Sequence, residues 1–212
     1  MASFHQRSQR IPGSLFPAAN PRIRHNPDSG GAGLHRGGNG ITIAYELLEP
    51  GEISIHDDRW FTYPWGVNGG ELGMRSTKKL VRKNGVIENI ASKCDRIHVE
   101  AGDVLHFNTW GGGGWGDPLK REPEKVAADV ARRLVTAKGA ARYGVVVSPD
   151  GRLDAVATER LRRDMAAKRG STALFDRGFK SIEELRARCK AETGFDPPSE
   201  PRFRTTYKIA AE

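Results

Sequence analysis

The chain has 212 residues, 37% of them hydrophobic, and a formal net charge of +8, enough for one large domain or two small ones. No stretch approaches the about 18 apolar residues of a membrane-spanning helix. Two distant cysteines, Cys94 and Cys189, and a polar first decapeptide argue against a disulfide framework and set the expectation of a cytoplasmic protein. The basic balance suits acidic partners in general. No RNP motif, zinc-finger spacing or clear helix-turn-helix accompanies it, which argues against nucleic acid.

Residues 1–27 are polar, basic and punctuated by proline, and read as an extended arm. A glycine-dense loop follows at 28–40. "ITIAYELLE" (41–49) and "EISIHDDRW" (52–60) read as strands joined at Pro50-Gly51, which predicts a β-hairpin. Residues 63–74 form a second loop of aromatics and glycines. Asn84-Gly85 lies between two short apolar runs and predicts a hairpin with a type I′ turn, positive φ at both positions. Residues 96–110 give two more strands around Ala101-Gly102-Asp103.

After Pro118 the pattern changes. Val126, Val130 and Leu134 fall at helical spacing within 121–144. A second helix is predicted over 154–170. A third covers 181–194, with Ser181 as N-cap, Glu184 at the capping-box position and Gly194 as the stop. The expected fold class is α+β: a β-rich, antiparallel, glycine-looped first half (28–118), a helical region (119–196) and a tail (197–212).

Candidate chemistry is sparse. His56 with Asp57 and Asp58, and His98 with His106, are possible metal ligands by type. Neither a C-x-x-C nor an H-x-x-x-H pair supports them, so the expectation is no metal in this chain. Cys94 has Lys93 and Arg96 nearby but no assignable base, and Cys189 reads as core. Gly31-Ala32-Gly33 precedes a strand instead of opening a helix, which argues against a dinucleotide site. Two readings of the glycine loops remain. Their bare amides present to an anion, as in a nest, or their backbones pack closely at an interface or site rim, the favoured reading.

Three ordered blocks carry a resemblance. The first is Asp28, Ser29, Gly30, Gly31, Gly33, Arg36, Gly37, Gly38 and Gly40. The second is Trp65, Gly66, Gly69, Gly70 and Gly73. The third is Thr109, Gly111 to Gly114, Trp115, Gly116, Asp117 and Pro118. With the helix that follows, they resemble the C-terminal portion of the hydantoinase B/5-oxoprolinase family, to which the large subunits of acetone and acetophenone carboxylases are related.

The resemblance implies the C-terminal piece of a B-type component in an ATP-dependent complex that opens a cyclic amide, inactive alone. It implies an A-type, ATP-binding partner, and an N-terminal B-type portion supplied by another chain. ATP with Mg and a divalent metal are expected in the assembled complex, with no cofactor in this chain. The binding candidates are Asp28, Ser29, Arg36, Thr109, Gly112, Gly113 and Asp117, with Arg36 facing an anion; no catalytic residue is assigned. The glycine run is expected to turn against a neighbouring subunit or the remaining B portion, with Trp115 plugging the turn and Asp117 capping the helix after Pro118.

Two departures stand out. Only the last part of a B-type subunit is matched, which is read as a split subunit over a gene remnant. Trp110 stands where the family commonly has proline. The alternatives are a ketone carboxylase subunit, or a non-catalytic assembly or nucleic-acid-binding protein.

Overall fold

The computed structural model describes residues 22–199. Its first half comprises β1 (Arg22–His25), β2 (Ile41–Glu46), β3 (Gly51–His56), β4 (Gly66–Val67), β5 (Thr77–Val81), β6 (Ile87–Ile90), β7 (Lys93–Val99) and β8 (Val104–Asn108). β2 pairs with β8 from Thr42↔Asn108 to Glu46↔Val104, and β3 pairs with β7 from Gly51↔Val99. The register is continuous between the two ladders, because the Leu47 amide donates to the Asp103 carbonyl (2.9 Å) and the Gly102 amide to the Leu47 carbonyl (2.7 Å).

The expected β2–β3 hairpin is therefore absent, and so is pairing of β7 with β8. Pro50-Gly51 and Ala101–Asp103 are the two corners of one long, bent ribbon. Local turn residues and strand alternation look the same for a corner as for a hairpin; only the distant partner distinguishes them. Asp103 holds its corner by accepting from the amides of Glu100 (3.0 Å) and Lys83 (2.9 Å).

The other edge of β8 takes β5, and β5 takes β6, giving the sheet order β1-β2-β8-β5-β6. Residues 22–25 of the expected arm are thus an edge strand on β2; the preceding residues lie outside those described. The β5–β6 hairpin forms as expected, but its turn is not type I′. Only Gly85 takes a positive φ (86°), and the Gly85 and Arg82 amides donate to the Arg82 and Val86 carbonyls. This is a three-residue loop with glycine in the left-handed position. Leu80, Leu105, Val99, Ile55 and Ile90 fill the core beneath these strands, with Phe107 and Tyr45 packed on it.

The second half holds α1 (Pro123–Ala131), α2 (Ala155–Lys168), a short strand β9 (Phe175–Asp176) and α3 (Ile182–Thr193), with 3-10 turns at Pro118–Lys120 and Gly139–Tyr143. The architecture is α+β, antiparallel sheets followed by helices. The first helix is shorter than its periodicity predicts. Arg133 turns to φ 59°, and the Leu134 carbonyl accepts from the Asp28 amide (3.2 Å) and Asn39 Nδ2 (2.7 Å) instead of continuing the helix. Tertiary capture of that carbonyl overrides the local pattern.

α3 begins and ends as expected: Ser181 Oγ accepts from the Glu184 amide (3.2 Å), and Gly194 closes the helix at φ 76°. Ala32, Val126, Val130, Val135, Ala140, Tyr143 and Val145 form a second core between α1 and the first glycine loop. β9 pairs with β4, stitching the helical half into the second glycine loop. Among the described residues, no helix is long and apolar enough to cross a membrane.

Candidate functional site: an interlocked glycine hub

The three glycine blocks meet one another. The Gly31 amide donates to the Gly112 carbonyl and the Gly112 amide to the Gly38 carbonyl, both at 2.8 Å. The Glu71 amide donates to Ala32 (2.7 Å), the Gly114 amide to Glu71 (2.8 Å) and the Val67 amide to Gly114 (3.0 Å). Each block is thus hydrogen-bonded to the other two.

The spacing admits no side chain. A Cβ built on Gly113 would lie 1.7 Å from the Trp65 carbonyl oxygen, one on Gly111 1.8 Å from that of Ser29, and one on Gly31 2.0 Å from that of Glu71. Ordinary carbon–oxygen contacts are far longer, so these main chains touch only because glycine stands at the crossing points.

Gly111 to Gly114 pack on loops of their own chain. Their amides are also largely engaged. Those of Gly111, Gly112 and Gly114 all donate to carbonyls of the hub, which leaves close packing, not a multi-amide nest, as the arrangement observed. Trp115 does not plug the turn. It is 46% exposed and tilts against His35 at 5.4 Å between ring centroids.

The polar candidates brace the hub from outside. Asp28, at φ 63°, accepts from the Thr136 amide (2.9 Å) and hydroxyl (2.6 Å). Buried Ser29 donates to the Asn26 carbonyl and accepts from the Gly40 amide (2.9 Å). Thr109 Oγ1 accepts from the Ile41 amide (2.9 Å), aligning the third block with β2.

Arg36 is turned inward. Its Nε lies 3.4 Å from Asp129 Oδ2, and its NH1 donates to Gly37 O (2.8 Å) and Asn39 Oδ1 (3.2 Å). Arg121 meets the same Asp129 carboxylate at 2.9 Å. Asp117 caps the 3-10 turn through the Leu119 amide (2.8 Å) and pairs with Arg169; it does not cap α1, whose N-cap residue is Glu122. Gly112 and Gly113 occupy the middle of the run.

Arg142 is a brace that sequence reading missed. Its Nε meets Glu71 at 2.8 Å, while NH1 donates to the carbonyls of Asp28 (3.1 Å) and Gly30 (3.2 Å). One guanidinium therefore ties two glycine loops to the second 3-10 turn, a use of its fixed fork of donors.

A second polar cluster lies in the β half and was also missed. Lys78 is fully enclosed and donates to Asp57, to Ser92 Oγ (2.6 Å) and to Ser76 Oγ (3.2 Å); Ser76 donates to Asp57 Oδ2 (2.6 Å). Burial pushes the Lys78 ammonium below its ordinary value, against the opposing pull of Asp57. Strand alternation held the signal: in "STKKL" Ser76, Lys78 and Leu80 are buried while Thr77 and Lys79 are exposed.

The three histidines singled out as possible metal ligands lie on strands. His56 pairs with Asp95 (2.8 Å) and His98 with Glu52 (3.4 Å), while His106 lies on β8. Among the described residues, no three His, Cys, Asp or Glu side chains gather into a metal-binding group. The Cys94 thiol is pushed up by burial and donates to the Ala91 carbonyl (3.0 Å), so it is not activated. Cys189 is wholly buried on α3.

Comparison with known proteins places this hub. The family model described as Hydantoinase B/oxoprolinase matches residues 14–118, a span that contains all three interlocked blocks. Over that span the chain belongs to the hydantoinase B/oxoprolinase family. The 5-oxoprolinase 1 of Arabidopsis thaliana is 38% identical over 104 residues, covering 49% of this chain and 8% of that protein. The caprolactamase subunit beta of Pseudomonas jessenii is 32% identical over 154 residues, covering 68% of this chain and 26% of that protein.

Among solved structures, the ATP-dependent caprolactamase of Pseudomonas jessenii superposes with a TM-score of 0.57 at 28% identity, over 69% of this chain and 26% of that one. An acetone carboxylase shares the fold, with a TM-score of 0.51 at 20% identity over 73% of this chain and 26% of that one. The chain thus spans about a quarter or less of the length of these family relatives.

Proposed function

We propose that the chain supplies the C-terminal, glycine-hub part of a B-type component in an ATP-dependent complex that opens a cyclic amide. The observation that carries this reading is the coincidence of the hub with the family match over residues 14–118. It is supported by relatives that are named for oxoproline and caprolactam hydrolysis, one of them as a subunit. An A-type partner binds ATP, with Mg and a divalent metal in the assembly, and other B-type segments complete the site.

In this reading ATP gives its terminal phosphoryl group to the amide oxygen and leaves as ADP; one water adds to the activated carbonyl carbon and the C–N bond breaks, giving an acyl phosphate and a free amine or amide nitrogen, and a second water splits the acyl phosphate into carboxylate and phosphate. The part given to this chain is structural precision. Interlocked main chains with no room to shift hold loops Trp65–Gly70 and Thr109–Asp117 in fixed register at the rim of a shared site, the kind of rigidity that transition-state positioning requires. The likeness to acetone carboxylase is one of fold and favours no ketone substrate.

The test is purification of the tagged chain with its natural partners, followed by ATP hydrolysis with oxoproline, hydantoins, caprolactam or ketone plus bicarbonate. ATP hydrolysis stimulated by a cyclic amide, with release of its ring-opened acid, is the expected result. Stimulation by a ketone and bicarbonate alone would replace the amide reading with a carboxylase. An assembled complex unresponsive to all of them would overturn both.

A further inference from the structure

Short extended segments lie side by side at the surface of the hub. β9 pairs with β4 through Val67↔Phe175. On its other side β4 takes Trp115: the Val67 amide donates to the Gly114 carbonyl (3.0 Å) and the Gly116 amide to the Val67 carbonyl (2.9 Å). Trp115 in turn exchanges two backbone hydrogen bonds with His35, at 3.0 and 2.9 Å. Directly paired residues put their side chains on one face of a sheet, and residues two apart on a strand share it. Trp65, Val67, Phe175, Trp115 and His35 therefore stand on the same face, with Arg177 next in line after Phe175.

Side-chain contacts agree with this register. Trp65 and Phe175 meet edge to face at 6.2 Å, the Arg177 guanidinium stacks over the Trp65 ring at 5.1 Å, and His35 tilts on Trp115. The alternating positions Gly66, Gly114 and Gly116 are buried. The backbone thus rests on glycine below and raises aromatic rings above.

Those rings stay open: Trp65 is 44%, Trp115 46% and Phe175 44% exposed. At about 150–250 Å² for each such side chain, they leave roughly 200–350 Å² of aromatic surface in water. That reaches the size of the largest apolar patch on a typical monomer. Tryptophan and arginine are over-represented among the residues that carry the energy of protein interfaces. An open sheet face also suits a protein surface, whereas a small ligand needs concavity.

Charge and chain length bear on what covers this face. Arg177 forms no ion pair among the described residues, and Asp176 alternates to the opposite face, where it accepts from the Leu72 amide (3.3 Å). Enclosing Arg177 in a dry interface therefore calls for a carboxylate from the other side. Trp65, Val67 and Trp115 lie within the family-matched residues 14–118, and about three-quarters of the caprolactamase chain lies outside the part that superposes. A portion of that size has to be seated on the matched quarter, and permanent interfaces of this kind are apolar, like a domain core cut in half.

We propose that this aromatic face seats the B-type portion that lies outside this chain, through an apolar surface that carries one carboxylate to meet Arg177. The inference rests on the B-type reading above and not on the reaction.

The test is photo-crosslinking in the complex purified through the tagged chain, with p-benzoylphenylalanine at position 175 and the joined peptides sequenced by mass spectrometry. Crosslinks are expected in a chain that matches the part of caprolactamase subunit beta outside the superposed quarter. Trp115→Ala and Arg177→Glu, both at exposed positions, should each cut recovery of that chain about tenfold, with thermal unfolding of the isolated variants little changed. Crosslinks confined to an A-type chain, to a second copy or to nucleic acid would overturn the assignment. So would a chain that purifies alone, or variants that recover the partner as well as wild type does. A complex crosslinked as expected but unresponsive to cyclic amides would support the docking face and remove the reaction; a responsive complex whose crosslinks fall elsewhere would overturn the docking face alone.

Discussion

In the hub, loops meet main chain to main chain; along α2 and α3, contact is made by a few side chains. α2 buries only Thr158, and α3 buries Leu185 and Cys189. The hub buries little apolar side chain, yet most of the backbone hydrogen bonds its loops make run between those loops. Where the main chains themselves set the spacing, there is no rotamer to adjust, and one added methyl has nowhere to go. Where helices lean on two or three side chains, most of the surface is open to change.

The comparison breaks most sharply at single glycines. Gly113→Ala is expected to destabilise by more than about 4 kcal/mol and to abolish folding, because its methyl meets the Trp65 carbonyl and neither backbone can yield. Gly38→Ala, in the first block of the same hub but with nothing within 4 Å of its added Cβ, should change stability by less than about 0.5 kcal/mol. Chemical denaturation of the two variants checks the pair; equal effects would remove the steric account of the hub.

Next in size is the buried cluster of the β half. Lys78→Met leaves the Asp57 carboxylate enclosed without its cation and should destabilise by about 3–5 kcal/mol. A Lys78→Met/Asp57→Leu double variant should recover much of that loss, because an apolar pair needs no partner. Asp28→Ala removes two hydrogen bonds to Thr136 at the hub's edge and should cost about 1–2 kcal/mol by thermal denaturation.

The smallest effect is a pH dependence. Burial pushes the Asp103 carboxyl up, but the backbone donors of Glu100 and Lys83 and the Arg82 guanidinium together outweigh it and hold the group below its ordinary value. A carboxyl depressed on folding contributes stability that is complete above its unfolded pKa of about 3.9 and is lost as pH falls through the lower folded value. Asp103→Asn should therefore flatten the acid limb of a stability–pH curve below about pH 4, with little change in its slope near neutrality.

Much of the fold was legible because local signals were strong. Ser181 and Gly194 bracket α3, and Asn84-Gly85 marks the β5–β6 turn. The misreadings came where a distant partner decided the outcome. Nothing in 46–51 distinguishes a hairpin from a corner until β7 and β8 are known to lie alongside, and the Leu134 carbonyl leaves its helix for Asp28 and Asn39, about a hundred residues earlier in sequence.

The hub's composition was visible, but the partners of its glycines were not, since glycine carries no side chain to show a face. Asp28, Arg36 and Asp117 each hold a loop, but the groups they hold were beyond sequence: Thr136, Asp129 and Arg169 all lie in the helical half. Lys78 carried no decisive local signal, because lysine is almost never fully buried unless paired and its partners Asp57 and Ser92 stand 21 and 14 residues away.

Native-state hydrogen exchange at the amides of Gly31, Gly112 and Gly114 tests the interlocked hub most directly. The account predicts exchange as slow as that of Leu80 and Leu105 in the β core, through global unfolding alone. Fast exchange of those glycines under conditions where Leu80 and Leu105 stay protected would contradict it, and would make the hub a loose set of loops.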